Sequence, residues 1–485
     1  MRGRICILVL IGCLAPFGVR ASDASDQTPD LSDQGSPPST TAAGELEQAP
    51  PLPANRPIDL RNQPNQLSGR IGAGVIETDN IERTPSDRIS DTIGELTADV
   101  VAHEQTRRLD VDVLSDLQYL TFAHNYFSNE LVGNFIGSGT IAILPQQFEW
   151  VVQENFGQQQ LDPTVAVTPA NLENVNYFTT GPNFVIGLTS QVRTQVSLRY
   201  SDVYYQKSDL DNNRGDASVG LIRSQSPNSN ISLNVEAERV DFQDSSANPD
   251  YTTEEAYGRY ELQGARTNLM MDLGYDEIRG LSSSGAGVLV HFDATRVLSP
   301  SALLELSLGQ DISDTSSLLR QLQNLNGLAV NAAYLQRAND PFINRYARLG
   351  WQFNRNRTFV DFDVARYEEH HLEDFGLDQG RTQTDLTVRR DLSPALMASI
   401  GGTYAKASYS ASAASYRDVI AFAALEWRIG RRLNLRAEYD RFDQHGNVLT
   451  NVYLENRIGV TLGWQVDNVR APDASPRSRG FVTNP

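Results

Sequence analysis

The residues able to do chemistry fall into three groups. Asp209, Asp211, Asn213 and Asp216 surround Gly215 with the oxygen-rich look of a calcium loop. The glycine comes one place late, and Gly220 stands where a bidentate glutamate is required, so this stretch reads as a solvated outer loop. Glu368, Glu369, His370, His371, Glu373 and Asp374 offer oxygen and imidazole ligands for a divalent cation. Adjacent side chains on an extended chain point opposite ways, so this reads as an ordinary acidic loop. Gly137-Ser138-Gly139 lacks the Gly-x-Ser-x-Gly of a nucleophile elbow. The six histidines are scattered and yield no nucleophile–base–orienter set. The chain is therefore read as non-enzymatic, with no catalytic residue, metal or cofactor.

The third group is the largest, and it sits on alternating positions. Asp110, Asp112, Asp116, Glu236, Glu238, Asp272, Asp276, Glu305, Asp361, Asp363, Glu426, Glu438 and Asp440 each neighbour apolar residues one place away. Arg199, Arg389 and Arg436 share that phase. In a barrel these side chains face a lumen. An open acidic lumen favours cations over small anions, and mixed carboxylate, Arg, Tyr, Asn and Gln walls can hydrogen-bond sugar hydroxyls. The alternative is a salt-bridge network that closes the lumen.

The elements that must position them are strands. Ile231, Leu233, Val235 and Ala237 alternate with Ser232, Asn234, Glu236 and Glu238. Leu433, Leu435, Ala437 and Tyr439 alternate with Asn434, Arg436, Glu438 and Asp440. This is period two, not the 3.6 of a helix. The connections alternate as well. Nine tight turns, such as Pro145-Gln146-Gln147, Gly264-Ala265-Arg266 and Gly430-Arg431-Arg432, interleave with ten longer acidic or Asn-rich links. Short turns at one end and long loops at the other describe an outer-membrane barrel. The count gives an all-β, transmembrane antiparallel β-barrel of about 20 strands (range 16–22), each roughly 10 to 14 residues long.

Composition agrees. The 485 residues are 40% hydrophobic, and no stretch after the N-terminus reaches the length of a membrane helix. Mean hydropathy is −0.37, as expected when half of every strand is polar. The net charge of −19 argues against a nucleic-acid partner. Residues 1–21 read as a signal peptide, with Arg2 and Arg4 before an apolar run. A lipoprotein box ending at Cys13 is the less favoured reading of the same run. Cys6 and Cys13 are the two cysteines, so nothing downstream can form a disulfide. Residues 22–66 form a disordered Pro/Ser-rich periplasmic leader, 67–466 the barrel, and 467–485 a disordered tail. Aromatics near strand ends, including Tyr119, Tyr126, Phe127, Phe148, Trp150, Tyr177, Tyr204, Tyr205, Trp351, Phe353, Trp427 and Tyr439, suggest interfacial girdles. The longest link, 313–342, carries a helix-like run, Leu318-Leu319-Arg320-Gln321-Leu322, that either folds into the lumen or stays outside.

Two stretches resemble a particular family. Glu77-Thr78-Asp79-Asn80-Ile81 with Pro85-Ser86-Asp87 and Ser90-Asp91 is one. Asn339-Asp340-Pro341-Phe342-Ile343-Asn344-Arg345, leading to Trp351-Gln352-Phe353, is the other. They resemble outer-membrane β-barrel proteins associated with the PEP-CTERM/exosortase sorting system. The resemblance implies a Gram-negative outer-membrane location and a link to exopolysaccharide production or export. Polysaccharide or export-system proteins are then partners, and no catalytic residues are implied. The leader and tail depart from that layout. Residues 456–466 read as the last strand, with Ile458, Val460, Leu462 and Trp464 on one face and Arg457, Gly459, Thr461, Gly463 and Gln465 on the other. Arg457, Gly459, Leu462 and Trp464 resemble the closing-strand signal read by the barrel-assembly machinery, and Leu462 and Trp464 are expected to face outer-membrane lipid.

Overall fold

The computed structural model describes residues 66–465 except 163–164, 247, 283–284, 319–339, 374–377, 411–413 and 449–451. The signal segment, the leader and the tail lie outside the described residues. The strands are β1 Gln66–Thr78, β2 Asp91–Gln105, β3 Leu109–Phe122, β4 Glu130–Leu144, β5 Phe148–Gln160, β6 Leu172–Gly187 and β7 Val192–Tyr205. β8 Asn212–Ser226, β9 Ser229–Phe242, β10 Tyr251–Gln263, β11 Thr267–Arg279, β12 Gly285–Ser299, β13 Ala302–Ser313 and β14 Phe342–Arg355 follow. β15 Thr358–His371, β16 Gln379–Asp391, β17 Leu396–Tyr409, β18 Ser415–Arg428, β19 Leu433–Gly446 and β20 Tyr453–Gln465 complete the series. Each strand pairs antiparallel with its sequence neighbours, and β1 pairs with β20 from Arg70↔Gln465 to Thr78↔Arg457. One 20-stranded sheet therefore closes on itself and leaves no edge.

The strands run from 12 to 16 residues, longer than the 10 to 14 anticipated. The excess is at the end carrying the long links. Along β9 the outward row reads Ile231, Leu233, Val235 and Ala237, then Arg239 and Asp241. The inward row reads Ser232, Asn234, Glu236 and Glu238, then fully buried Val240. Phase is unbroken, but polarity inverts near the loop end. The same inversion puts Ile76, Phe122, Val175, Val203, Ile278 and Phe442 inside. Outside, it gives exposed ion pairs such as Arg239–Asp241 at 2.8 Å, Arg279–Glu254 at 2.9 Å and Arg366–Glu368 at 2.9 Å. An apolar row facing out demands hydrocarbon; a charged row facing out demands water. The loop-end residues of the strands therefore stand above the hydrocarbon as a water-facing rim with its own interior.

Below that rim the outward apolar side chains form a continuous band. Ile71 (62% exposed), Leu233 (64%), Leu273 (62%) and Ile400 (59%) belong to it. Each would cost about 1.5–3 kcal/mol if left in water rather than in hydrocarbon, so the band is a lipid contact. All four tryptophans, Trp150, Trp351, Trp427 and Trp464, lie on turn-end segments of their strands. Phe148 stacks on Phe184 with ring centroids at 4.9 Å, and Trp351 on Phe353 at 5.8 Å, beside them. Three aromatics expected in the girdles are not there. Tyr177 and Tyr205 face inward and are buried in an apolar cluster. Phe127 packs against the buried Ile76–Phe122 cluster instead of facing outward. In each case the polarity inversion above the bilayer explains the misplacement.

Candidate functional site: the lumen and its loop-end seal

All ten singled-out lumen residues lie on inward rows. Asp110 and Asp112 lie near the turn end of β3, where His103 Nδ1 stands 2.7 Å from Asp112 Oδ1 and Gln105 reaches Asp110 at 3.4 Å. His103, Asp110 and Asp112 can each bring a ligand atom within 4.8 Å of the others, but all three are only half-buried. Arg199 on β7 donates to Asn183 at 2.5 Å and to the Pro182 and Leu198 carbonyls at 3.0 and 2.8 Å. Glu236 and Glu238 on β9 line a cavity of about 80 Å³ with Glu255, Arg259, Asp272, His291, Asp311 and Asp314. Asp363 on β15 takes Arg348 at 2.7 Å, and Asp361 lies buried one inward position away. Glu426 accepts from Asn434 at 3.2 Å and lies 3.8 Å from Arg70. Arg436 holds Glu438 with two bonds of 2.9 and 3.0 Å. Apart from Arg70 and Glu426, which are three strands apart, the wall is a series of local pairs set by register, with partners on the same strand or across one ladder.

Sequence reading left open whether the 313–342 link enters the lumen; it did not find the anchors, Arg214 and Arg83, that hold links in a seal there. The 313–342 link begins inside the barrel. Asp314 caps a helical turn, residues 315–318, accepting from the Ser316 and Ser317 backbone at 3.0 and 3.2 Å. Arg214 of β8, 2% exposed, grips both Asp314 oxygens at 2.8 Å, and also Ser317 at 2.9 Å and Glu238 at 2.9 Å. Leu318 joins a buried cluster with Val175, Tyr177, Val203 and Tyr205 of β6–β7 and Phe342, Ala365 and Tyr367 of β14–β15. Those strand pairs are seven apart in the sheet order, so this turn packs against inward side chains of both walls. Of the helix-like run, Leu318 is inside, and residues 319–322 lie outside the described residues.

Two further links meet on the other side. Arg83, from the 79–90 link, has a fully buried side chain. It binds Glu455 at 2.8 Å and the Val167 carbonyl at 2.6 Å, and lies over the rings of Phe442 and Tyr453 at 4.8 and 5.0 Å. Ala166, from the 161–171 link, packs against Ile420, Phe442 and Tyr453 of β18–β20. Glu455 also takes Arg457 at 2.6 Å, so Arg457 of the closing strand belongs to this seal.

The electrostatics of the two anchors are settled by their partners. Burial pushes Asp314 towards the neutral acid, but the Arg214 charge and the hydrogen bonds of Arg214, Ser316 and Ser317 outweigh it and hold Asp314 well below the usual carboxylate range. Burial pulls Arg83 down, and Tyr453 and Glu455 more than reverse that, so Arg83 stays cationic. Both ion pairs are satisfied on several sides, the condition under which a buried charge is tolerated.

Two sequence readings change. Asn213, Gly215 and Asp216 are not loop residues but lie within β8, and Asp216 faces inward. Glu368 to His371 end strand β15, with Glu369 and His371 buried inward and Glu368 and His370 outward. On the closing strand Ile458 (61% exposed), Val460 (47%), Leu462 (46%) and Trp464 (51%) form the outward row, and Arg457, Gly459, Thr461, Gly463 and Gln465 the inward one.

A family model described as "Putative beta-barrel porin 2" matches residues 343–466, which take in nearly all of the last seven strands. Among solved structures the chain is similar to the siderophore receptor PirA from Acinetobacter baumannii (8% identity, 84% of this chain and 81% of that one, TM-score 0.45). It is also similar to PirA from Pseudomonas aeruginosa (12% identity, 83% and 81%, TM-score 0.41). A third is the ferric citrate transporter FecA in its unliganded form (10% identity, 84% and 79%, TM-score 0.41). No curated protein matches the chain in sequence. With a closed 20-strand order, an outward apolar band and a porin-type match over its final strands, the chain is an outer-membrane β-barrel.

Proposed function

We propose that this barrel is a non-enzymatic, gated passage for a hydrophilic polymer, closed at the loop end in the state described. The observation that carries this is the contrast inside the lumen. A polar wall of carboxylates, arginines and amides lies below a seal to which links from three different hairpins contribute. A structural barrel has no need for a wall rich in sugar-type hydrogen-bonding groups, and a general diffusion porin has no need for a seal. The narrower role, in exopolysaccharide or related surface-polymer export linked to exosortase, is supported by the resemblance of residues 77–91 and 339–353. Outer-membrane lipid and the barrel-assembly machinery are its expected partners, with the polymer or an export-system protein meeting the loops or the lumen.

Planar-bilayer conductance tests the passage. The folded wild-type barrel is expected to be silent or to pass brief small steps. A variant with residues 314–341 replaced by a short Gly-Ser link should give a long-lived large step. Silence from that variant, while it migrates as a folded barrel in unheated gels, would leave the adhesive or structural reading standing. A large stable step from wild type would make the protein an open porin.

A further inference from the structure

The water-facing rim is charged unevenly around the barrel. On β14–β19 its outward positions carry five cations, Arg345, Arg366, Lys406, Arg417 and Arg441, against the two carboxylates Glu368 and Asp443. On β5–β11 the balance is reversed. Glu154, Asp202, Asp241, Glu254 and Glu277 stand there with Arg239 and Arg279. The basic wall is also ordered by register. Arg366 lies opposite Thr382, Thr382 opposite Lys406, Lys406 opposite Arg417, and Arg417 opposite His445. These positions form one row across five strands, about 19 Å long at the usual strand spacing.

Lys406 and Arg417 are the anomaly in that row. They are directly cross-strand, so their Cβ atoms lie roughly 5 Å apart, and like charges so placed repel. Both are exposed, and neither has a hydrogen-bonding or ionic partner among the described residues. Their neighbours are not in that position: Arg366 binds Glu368 and donates to Thr382 at 2.9 Å, and Arg441 reaches Asp443 at 3.7 Å. Just below, towards the turn end, Tyr404 and Val419 begin the apolar band. The unpartnered pair therefore sits at the height of lipid headgroups on the loop side.

We propose that the β15–β19 row, centred on Lys406 and Arg417, binds a phosphate of an anionic glycolipid headgroup in the leaflet at the loop end. A phosphate between the two cations removes their repulsion and receives charge-assisted bonds from both. Thr382 adds a hydroxyl, and the lipid's chains lie along the Ile400–Tyr404 and Val419–Leu425 surface. The acidic β5–β11 wall repels the same headgroup, so binding is confined to one side of the barrel. The site rests on the outer-membrane reading but not on the lumen's being a passage.

Native mass spectrometry of the folded full chain in detergent tests it, with three probes. These are a disaccharide lipid carrying two phosphates, its dephosphorylated counterpart, and inorganic phosphate. The diphosphorylated lipid should be retained on the wild-type barrel. Retention should fall roughly thirtyfold in Lys406→Gln/Arg417→Gln, at about fivefold for each juxtamembrane cation, and further in Lys406→Glu/Arg417→Glu. The control Arg107→Gln/Arg108→Gln, at a turn, should retain it fully. Heat-modifiable migration confirms that each variant is folded, and charge neutralisation preserves the fold if reversal does not. Equal retention of the phosphorylated and dephosphorylated lipids overturns the proposal, as does unchanged retention in both folded double variants. Inorganic phosphate binding with the same dependence on Lys406 and Arg417 also overturns it, because the site would then serve a soluble anion. None of these outcomes alters the conductance result, so failure here and failure of the passage reading are distinguishable.

Discussion

The two ends of the barrel solve different problems with the same strands. At the turn end nine short connections lie close to the apolar band, and charge is left in water: Arg107, Arg108, Arg266, Arg355, Arg357, Arg431 and Arg432 are all exposed. At the loop end the strands rise above the band, turn apolar inward, and enclose three arginines that water does not reach, Arg83, Arg214 and Arg457. An exposed arginine costs its surroundings little, whereas a buried one must be matched by carboxylates and hydrogen bonds or it destabilises the fold. The loop end therefore specifies a conformation, and the turn end chiefly terminates the sheet.

Changes at the loop-end anchors should be the most damaging. Arg83→Ala leaves Glu455 with Arg457 as its one remaining cation, beside the Thr78 hydroxyl, and strips the Val167 carbonyl of its donor. A loss of about 3 kcal/mol is expected from removing one partner of a buried pair, read as a lower unfolding midpoint in urea. Arg214→Ala should cost a similar amount locally. Because the links are peripheral to the sheet, protease cleavage within residues 314–341 should appear before the barrel itself unfolds.

Acid gives a milder test of the same anchor. Asp314 is held below its unfolded value of about 3.9. Its contribution to stability is thus fully present above about pH 4 and is lost only as pH falls further, through the depressed folded value. Conductance and protease resistance of the link should be unchanged between pH 7 and pH 5. Opening within that window would mean that Asp314 does not anchor the link.

The closing strand lies between the extremes. Trp464→Asp places a charge on the lipid-facing row near the turn end, where the cost to the folded barrel is only about 1 kcal/mol or less. Slowed assembly in cells with near-normal stability once folded is the expected signature of an assembly signal. Gly459→Asp should also impair assembly. Gly459→Ala should not: an added Cβ would meet Ile76 at 3.4 Å, an ordinary contact. Normal insertion of both aspartate variants would remove the signal role of this strand.

The smallest effect belongs to the turn end. Arg431→Ala/Arg432→Ala should change stability by less than about 0.5 kcal/mol per residue, as for exposed positions without partners. A loss approaching that of Arg83→Ala would erase the contrast between the two ends.

The sheet was legible because a strand writes its two faces into alternate residues, and the difference between turns and loops is written in their lengths. Leu433 to Asp440 alone shows which way Arg436 and Glu438 point. Entry of the 313–342 link into the lumen was legible as one of two options, but the anchors of the seal were not. Arg214 stands in an Arg-Gly-Asp tripeptide of no evident meaning, and its partner Asp314 lies 100 residues away, brought near only by a link that turns inward. Asp314 before Thr315-Ser316-Ser317-Leu318 does carry a helix-cap signal, but a cap does not tell where its helix lies. Tyr177 and Tyr205 were misplaced for a related reason. An aromatic near a strand end suits a lipid girdle or the interior of a rim equally well, and only the height of the bilayer along the strand decides.

The central claim is that the start of the 313–342 link, residues 314–318, is latched inside the barrel by Arg214. The most direct measurement is the reactivity of Leu318→Cys towards a membrane-impermeant thiol reagent on whole cells, since the chain has no other cysteine after Cys13. Leu318 is 3% exposed, so the thiol should be protected in the otherwise wild-type barrel and become reactive when Arg214→Ala is added. Rapid labelling without the second change would contradict the account.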